Sequence, residues 1–515
     1  MSYLPLILIS AFIISIILSL LSFNLKRPAM EIVNDMGLGW NLANTFDCYD
    51  VNKEIKNPDE QITLCGNIAP KKELFSKMKK YGFKTIRFPV TWFHFMDNSG
   101  KVDSKWMEKV KEVVDWIIEA NMYCIINVQN DGAEGNWLSK GIIAKEKYGF
   151  LWKQIAEEFI IYDDYLIFES MDNVVYQKGY NYDYKTFHDF TQTFVNAVRS
   201  TGGNNEHRLL LISGPNADLE KACSEEFKLP KDPKNKLAVS IHFNEPKQFT
   251  SEKEDEPYSW IDNETGEIKI IPPLTQWGSE SDYKDMITNF EKMKKTFIDI
   301  GIPIIINEVG VITEDKKEIE SIREFLNAEF CISSSYEGIM SCLWDTSNNG
   351  DMNYYDRVND KWNDEIIKNN FKKISKKKFI NPNEFLYYSN KDTEMSPSPN
   401  GPVRIQFGAK KVMKVIFNAY IKAPSLDMAV FGIASVNKDG VWVGQGVTGS
   451  QGKRHYDGSL IFTIDVSDKD YNDYIQIEIW WGPEYTTLTY LTLEFEQSYP
   501  IFNSKEYKSK LLDEA

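Results

Sequence analysis

Four side chains that can carry charge or stack on a ring stand at the ends of short apolar runs. Arg87 and His242 can be cations, Glu308 is a carboxylate, and Trp344 offers a flat aromatic face. A neighbouring arginine lowers the pKa of a carboxylate, which then stays ionised and can act as a nucleophile. Arg87 and Glu308 can equally persist as a structural ion pair, because losing either partner leaves a charge uncompensated.

The elements that must position these side chains follow from the apolar pattern. Eight apolar runs recur, most of them followed by an amphipathic stretch, which predicts a parallel sheet covered on both faces. Eight such units predict an α/β fold, a (β/α)8 barrel, with function at the carboxyl ends of its strands. The predicted strands are Met36–Leu42, Thr85–Val90, Tyr123–Val128, Tyr165–Glu169, Arg208–Ser213, Leu237–His242, Ile302–Asn307 and Gly338–Trp344. The predicted helices are Lys71–Tyr81, Ser104–Asn121, Tyr184–Thr201, Tyr283–Ile300 and Lys316–Phe330.

The composition excludes some classes of partner. The chain has 515 residues and a formal charge of −16, with 13% aromatic residues. Strong acidity argues against a nucleic-acid binder, which needs Lys and Arg to displace counterions from phosphates. It suits an uncharged ligand such as a sugar without selecting one, and aromatic rings can stack on sugars.

Several segments together resemble a known family. The segments Gly37–Thr45, Gly82–Trp92, Ile302–Gly310 and Leu343–Asp345 are similar to those of family 5 glycoside hydrolases, the cellulase family. The resemblance runs from about residue 36 to 371, in order. It implies a (β/α)8 barrel, a β-1,4-glucan or mannan substrate, and a retaining mechanism with two glutamates that needs no metal or cofactor.

Four positions agree with the family pattern. Glu308 matches the nucleophile, and Arg87 matches the arginine that supports it. His242 matches the family's active-site histidine, and Trp344 matches the tryptophan under the sugar ring. The candidates for substrate binding are Trp40, Asn44, Gln129, Asn130, Asn244 and Trp344.

Other positions depart from the pattern. Gln129 and Asn130 replace a histidine pair after the third strand, and Asn244 replaces a tyrosine that contacts the nucleophile. After the fourth strand the family has Asn followed by the acid/base Glu, whereas here Asp172 stands at the Asn position and Asn173 at the Glu position. An amide cannot donate a proton to a leaving alkoxide at neutral pH. The chain therefore lacks the family's general acid.

Two nearby carboxylates are alternatives for the missing acid. Asp172 is one residue away but has a shorter side chain, and Glu169 is expected to face the barrel interior or a helix.

We favour a cellulase-like protein that binds β-glucan with impaired or absent hydrolysis. The alternatives are an active retaining endo-β-1,4-glycanase that uses Asp172 or another group as acid, and a purely structural or protein-binding barrel.

The C-terminal part of the chain has a different pattern. Strand-like runs at close spacing predict a β-sandwich, possibly carbohydrate-binding, over residues 403–498, after a linker over residues 386–402. The runs are Val403–Phe407, Lys411–Ile421, Ala429–Ser435, Val441–Val447, Leu460–Val466, Tyr474–Trp481 and Leu488–Glu496. Trp480 and Trp481 point to opposite faces of one strand, so one of them can be an edge contact or, with Tyr485 or Trp442, a sugar platform.

The remaining segments bear on location and access. Residues 1–29 are predicted to be a signal or anchor segment, because Tyr3–Leu25 has 23 residues without charge. The barrel domain then covers residues 30–385. This predicts a secreted protein or one anchored at the cell surface, although Lys26 and Arg27 would orient an uncleaved helix with the bulk of the chain in the cytoplasm.

The sequence leaves two further features open. Cys48 and Cys65 lie in one loop-like stretch and can pair, whereas the six cysteines show no zinc-site spacing. Ser251–Glu280 follows the sixth strand and carries Trp260 and Trp277. It can be a lid, an extra subsite or a disordered insertion.

Overall fold

The computed structural model describes most of the barrel region and the backbone of the C-terminal strands. Its described residues are 27–133, 136–172, 174, 184–251, 273–313, 316–347 and 350–376, with the backbones of strands 258–261, 268–271 and those between 403 and 511. The chain divides into two compact units. One contains residues 1–276, 290–326 and 337–376, and the other contains residues 277–289, 327–336 and 377–515.

Eight parallel strands close into a barrel, as the apolar runs predicted. Around the barrel the order is β1, β10, β9, β6, β5, β4, β3 and β2, after which the sheet closes on β1. The strands are β1 Leu38–Asn41, β2 Phe83–Phe88, β3 Tyr123–Asn127, β4 Leu166–Glu169, β5 Leu210–Ser213, β6 Leu237–His242, β9 Ile304–Val309 and β10 Ile339–Leu343. Each predicted run overlaps one of these strands, so the prediction of eight barrel strands is confirmed.

Helices separate most of the strands. They are α1 Ala29–Met36, α2 Pro58–Ile62, α3 Lys72–Lys80, α4 Ser104–Glu119, α5 Lys145–Glu158, α6 Tyr184–Ser200, α7 Leu219–Ala222, α8 Lys247–Thr250, α9 Glu280–Thr296, α10 Ile319–Ser335 and α11 Glu365–Ile374. Each of the five predicted helices overlaps an observed one. The sequence reasoning missed α5, although Tyr148, Leu151, Trp152 and Ile155 are all buried at helical spacing.

Helix α1 packs against the interior of the barrel. Its buried residues Ala29, Ile32, Val33 and Met36 join a cluster with inward-facing side chains of β3, β4, β6 and β9. The spacing of these four residues puts them on one face of the helix. The predicted leader boundary at residue 29 therefore overlaps an element of the barrel.

The loop after β1 is held by a disulfide. Cys48 and Cys65 are joined, with their Cα atoms 6.0 Å apart. This agrees with the pairing that the sequence left open. Cys124, Cys331 and Cys342 are buried thiols outside this disulfide.

Two short antiparallel hairpins interrupt the barrel pattern. The segment after β6 contains β7 Tyr258–Ile261 paired with β8 Ile268–Ile271. The segment after β10 contains β11 Tyr355–Asp356 paired with β12 Lys361–Trp362. In the segment after β6, Trp277 is buried against Tyr283, whereas the side chain of Trp260 lies outside the described residues.

The C-terminal strands form two antiparallel sheets. The five-stranded sheet has the order β16, β15, β19, β13, β21, and the four-stranded sheet has the order β17, β18, β14, β20. The strands are β13 Val403–Phe407, β14 Val412–Lys422, β15 Val430–Val436, β16 Trp442–Thr448, β17 Lys453–Arg454, β18 Leu460–Asp465, β19 Ile475–Trp480, β20 Thr487–Gln497 and β21 Lys510–Leu511. All seven predicted runs overlap a strand, and β21 extends the paired region beyond the predicted end at residue 498.

Some predictions fall on residues outside the described ones. They are the leader before residue 27, the linker over residues 386–402, and the side chains of Trp442, Trp480, Trp481 and Tyr485. Over the described part of the chain, no helix combines the length and apolar character needed to cross a membrane.

Candidate active site

A buried arginine organises the carboxyl ends of the barrel strands. Arg87 Nε donates to Glu169 Oε2 at 2.7 Å, Nη1 to Glu308 Oε1 at 2.8 Å, and Nη2 to Asp172 Oδ2 at 2.5 Å. The side chains of Arg87, Glu169 and Asp172 are fully buried, whereas 13% of the Glu308 side chain is exposed. One cation therefore holds three carboxylates, and only Glu308 among these four groups is open to a ligand.

Amide side chains complete the shell around this cluster. Arg87 also donates to Asn41 Oδ1 and Gln129 Oε1, which uses all five of its N–H groups. Asn307 Nδ2 donates to Glu169 Oε1 at 2.7 Å and to Asp172 Oδ2 at 3.1 Å. The sequence reasoning missed Asn41 and Asn307 as site residues. The available signal was that each is a polar residue at the end of an apolar run.

His242 ends β6 and lies opposite Glu308 of β9 in the sheet register. Its Nε2 is 3.0 Å from Asp172 Oδ2 and 3.6 Å from Glu308 Oε2. Burial lowers the pKa of the imidazole, but Asp172 and Glu308 outweigh it, and the pKa rises to about 9. The ring is therefore an imidazolium at neutral pH.

The charge balance also affects Glu308. Burial raises the pKa of its carboxyl, and the Asp172 carboxylate raises it further. His242 and Arg87 lower it only in part, so the pKa of Glu308 lies above its ordinary value, opposite to the lowering expected from Arg87 alone. With all groups ionised, the cluster contains three carboxylates and two cations. Asp172 contributes one of these negative charges at a position where the family pattern has a neutral Asn.

The position of Asp172 bears on whether it can replace the missing acid. Its carboxylate is fully buried and contacts three donors, from Arg87, His242 and Asn307. These donors stabilise the ionised form of a carboxylate, which is the form without a proton to give. Glu169 is also fully buried beneath Glu308 and bonds Arg87 and Asn307, as its expected inward direction implies.

Asp172, His242 and Glu308 are the group that most resembles a metal site among the described residues. One ligand atom each from Asp172, His242 and Glu308 lies within 4.8 Å of the others. Both carboxylates already bond Arg87, and the guanidinium charge opposes a further cation. The arrangement therefore fits an ion-pair network better than a metal centre.

The predicted aromatic residues divide into two groups. Trp344 follows β10 and is partly exposed, and its backbone N–H donates to Val309. Trp40 is fully buried, its Nε1 donates to Asp345 Oδ2 at 2.9 Å, and the Arg357 guanidinium covers its ring. Trp40 therefore exposes no surface to a sugar, which corrects its selection as a binding residue.

The predicted polar binding residues also occupy different depths. Gln129 is fully buried and bonds Arg87, so it supports the cluster from below. Asn44, Asn130 and Asn244 are partly exposed in loops after β1, β3 and β6. Asn173 lies outside the described residues, so its place at the acid/base position remains a prediction from the sequence.

The loop after Gln129 carries a partly exposed aromatic residue that the sequence analysis does not single out. Trp137 is partly exposed, and its Nε1 donates to Asp131 Oδ1 at 2.7 Å. Asp131 Oδ2 also accepts from the backbone N–H of Trp92 at 2.8 Å. Burial raises the pKa of Asp131 to about 7, although both donors lower it.

The barrel fold and the carboxylates around Arg87 together define a class of protein. A closed parallel barrel that gathers carboxylates at the carboxyl ends of its strands has the layout of a barrel enzyme. The family model "Cellulase (glycosyl hydrolase family 5)" matches residues 49–350. The chain belongs to this family, as its motifs predicted.

Relatives and solved structures agree with this assignment. Endoglucanase A of Clostridium longisporum is 32% identical over 340 residues, which cover 64% of this chain and 61% of that protein. A broad-specificity endoglucanase from an uncultured bovine rumen ciliate is 56% identical, with a TM-score of 0.65, covering 68% of this chain and 98% of that chain. A lichenase mutant from Caldicellulosiruptor sp. F32 in complex with cellotetraose is 29% identical, with a TM-score of 0.60, covering 68% and 96%. The chain thus spans less than two thirds of the length of the Clostridium relative.

Proposed function

We propose that the chain binds a β-1,4-glucan-type polysaccharide at the barrel mouth and hydrolyses it slowly or not at all. One observation carries this proposal: Arg87 holds a partly exposed Glu308 at the nucleophile position, while Asn173 stands at the position of the family's acid. The nucleophile half of a retaining site is therefore present without its usual proton donor.

The substrate class rests on the relatives and on the mouth of the barrel. Relatives are endoglucanases by name, and a similar structure holds cellotetraose. A partly exposed Trp344 beside Glu308 offers an apolar face of the kind that stacks on a sugar ring. No cofactor is part of this proposal, because the two-carboxylate mechanism requires none.

An active endo-β-1,4-glycanase that uses Asp172 as acid is the second candidate. In its favour, oxygens of Asp172 and Glu308 lie within 4.8 Å of each other. Against it, the Asp172 carboxylate is fully buried and bonded to Arg87 and His242, so it does not reach an exposed glycosidic oxygen.

The location and the C-terminal strands form a separate part of the proposal. We place the protein outside the cell, secreted or anchored by its N-terminal apolar segment. The Cys48–Cys65 disulfide supports this, because disulfides persist mainly in oxidising compartments. The two antiparallel C-terminal sheets suit a β-sandwich with a carbohydrate-binding role.

Calorimetric titration of the full chain with cellohexaose tests the binding. We expect saturable binding, and we expect Trp344→Ala to weaken it by about tenfold or more, which is about 1.4 kcal/mol. Phe150→Ala is the matched control, since this exposed aromatic lies on α5 and should leave binding unchanged. Absence of binding to cellohexaose would overturn the proposal.

Hydrolysis is measured on the same preparation. Turnover of soluble glucan should fall well below the range of about 1–10³ s⁻¹ that enzymes commonly show. Asp172→Asn should not abolish whatever turnover remains, if Asp172 only supports the cluster. Turnover within that range, together with its loss in Asp172→Asn, would instead favour the second candidate.

A further inference from the structure

The barrel mouth exposes a second titratable group beside the nucleophile. We infer that His242 is the proton donor and acceptor for glycoside cleavage in this chain, in place of the acid that is missing at Asn173. This inference rests on the proposed function, because it requires a sugar bound over Glu308. It concerns the slow chemistry that the site retains.

Exposure selects His242 within the cluster. The side chains of Asp172 and Glu169 are fully buried, whereas 14% of the His242 side chain is exposed, close to the 13% of Glu308. Nε2 of the imidazole faces Asp172 and Glu308. Nδ1 has no hydrogen-bond partner among the described residues, and it is not one of their buried unsatisfied atoms. Nδ1 is therefore the atom of this ring that can bond a ligand.

The separation from the nucleophile also suits the role. Nε2 is 3.6 Å from Glu308 Oε2, and Nδ1 stands on the other side of the same ring. In retaining glycosidases the nucleophile and the acid stand about 5–5.5 Å apart. Because one ring carbon joins Nδ1 to Nε2, a proton on Nδ1 lies within one imidazole ring of an atom 3.6 Å from the nucleophile.

Asp172 acts on this chemistry through His242 and is a positioning residue. Its Oδ2 lies 3.0 Å from Nε2, which fixes the ring orientation and leaves Nδ1 for the substrate. A buried carboxylate that orients a histidine and stabilises the imidazolium is a recurring arrangement in hydrolases. The orientation of His242 is thus a physical reason for a carboxylate at position 172, where the family pattern has Asn.

The two chemical steps balance without any further reactant except water. In the first step, Glu308 forms a bond to the anomeric carbon while the glycosidic C–O bond breaks. The leaving oxygen takes its electron pair and receives the proton from Nδ1. In the second step, the neutral ring removes a proton from water, whose oxygen attacks the anomeric carbon. The ester bond then breaks, and the Glu308 carboxylate and the imidazolium are restored.

The charges around the ring change in the direction that this cycle requires. The charged groups facing the imidazole are Asp172 after β4, Glu308 on β9 and Arg87 on β2. Burial and Arg87 lower its pKa, and the two carboxylates raise it to about 9, which keeps the acid form at neutral pH. Once Glu308 is esterified, one of these carboxylates is neutral, so the pKa of the ring falls and it becomes a more accessible base. A resting pKa above neutrality makes a weaker acid than the ideal, in line with slow turnover.

A pair of substrates separates proton donation from the other roles of the ring. Phenyl β-cellobioside needs a proton on its leaving group, whereas 2,4-dinitrophenyl β-cellobioside leaves without one. We expect His242→Gln to lower kcat/KM for the phenyl substrate by about 10²-fold or more and for the dinitrophenyl substrate by less than about tenfold. His207→Gln, before β5 at the opposite end of the barrel strands, is the control and should change neither rate. Equal losses on both substrates, or no loss, would overturn the inference.

The pH profile gives a second readout that a purely structural role would not move. For the phenyl substrate, activity should decline at alkaline pH as the imidazolium titrates near pH 9. Asp172→Asn removes a negative charge, lowers the pKa of the ring and should move this decline to lower pH by about one unit or more. An unmoved decline in Asp172→Asn would contradict the assignment.

Failure of this inference can be told apart from failure of the proposed function. If wild type binds cellohexaose and cleaves only the dinitrophenyl substrate, the site has no acid and the His242 assignment is wrong, while the proposed function stands. If cellohexaose does not bind, both are wrong. Circular dichroism and thermal midpoints confirm that each variant is folded.

Discussion

Two arginines are buried at opposite ends of the barrel strands, and each makes five hydrogen bonds. Arg87, near the carboxyl end of β2, bonds Glu169, Glu308 and Asp172 as well as two amide oxygens. Arg208, just before β5, bonds the side chain of Asn205 and four backbone carbonyl oxygens. Their geometry is equally complete, but their partners differ in charge.

The difference in partners has opposite electrostatic consequences. Burial lowers the pKa of Arg208 to about 9, because its bonded acceptors are neutral and Asp163 and Asp164 oppose burial only in part. At Arg87 burial also lowers the pKa, but Glu169, Glu308 and Asp172 more than compensate, and it rises. A buried arginine bonded to backbone carbonyl groups stabilises the fold. A buried arginine bonded to several carboxylates, one of them exposed, lies in a site whose net charge changes when those carboxylates are protonated.

The largest expected effect comes from restoring the family's pair at the Arg87 end. The double change Asp172→Asn with Asn173→Glu removes one buried charge and supplies a carboxyl acid. Because general acid–base help is worth about 10²–10⁴-fold, we expect kcat/KM on cellohexaose to rise by a factor in this range. Product release measured by chromatography gives the rate.

Asn173→Gln with Asp172→Asn is the matched control, since it has a similar size without an acid. Equal activity in the control and the double variant would show that a carboxyl at position 173 is not the main defect. In that case the changes at Gln129, Asn130 and Asn244 have altered the site further. Effects of residues that act together are not additive, so the single changes need measuring as well.

Removing each arginine sharpens the comparison between the two ends. Arg87→Met leaves three carboxylates without their shared cation and should cost about 3–5 kcal/mol of unfolding free energy at pH 7. Part of this loss should be recovered at pH 5, because protonation relieves the repulsion. Arg208→Met leaves unpaired carbonyl acceptors and should cost about 3 kcal/mol or more, with little change between the two pH values.

Urea unfolding followed by tryptophan fluorescence at both pH values makes the measurement. The quantity to compare is the change in unfolding free energy between pH 7 and pH 5. Subtracting the value for Arg208→Met from that for Arg87→Met cancels the pH dependence of the rest of the chain. The same pH dependence in Arg87→Met and Arg208→Met would contradict the distinction drawn between the two ends.

A smaller effect is expected from His242 and pH. The pKa of a histidine is about 6.5 in an unfolded chain and about 9 here, so the folded state binds the proton more tightly. The resulting stability is fully present below pH 6.5 and is lost as pH rises through 9, up to about 3 kcal/mol. Thermal midpoints of wild type should fall over this window, and those of His242→Gln should fall less. A parallel decline in both proteins would show that His242 does not carry the effect.

Much of the barrel was predictable because its strands are buried on both faces. Each of the eight apolar runs became a strand, since a parallel strand covered by helices reads as a continuous apolar segment. Helix α1 is not among the predicted helices, although the spacing of its buried residues Ala29, Ile32, Val33 and Met36 is helical. The hairpin of β7 and β8 is not among the predicted elements, because such short strands form through their mutual pairing rather than through a long apolar pattern.

The sequence predicts which residues belong to the site better than it predicts their burial and their contacts. The ends of the apolar runs identified Arg87, His242, Glu308 and Trp344, because strand ends share one face of a barrel. The position of a residue at a strand end does not show how deeply its side chain is buried. The motif that contains Trp40 does not show that this residue is fully buried, and no pattern in the sequence predicts the contacts of Asn307 with the carboxylates.

By itself, the sequence determined the order of strands and the family, and it predicts that Asn173 replaces the acid/base glutamate. Only the tertiary structure decided that Asp172 is buried between Arg87 and His242 instead of facing a substrate. The physical reason is that periodicity assigns a side chain to a face, whereas charge and exposure at the mouth arise from groups on separate strands. His242 becomes an imidazolium because two carboxylates distant in sequence meet its ring.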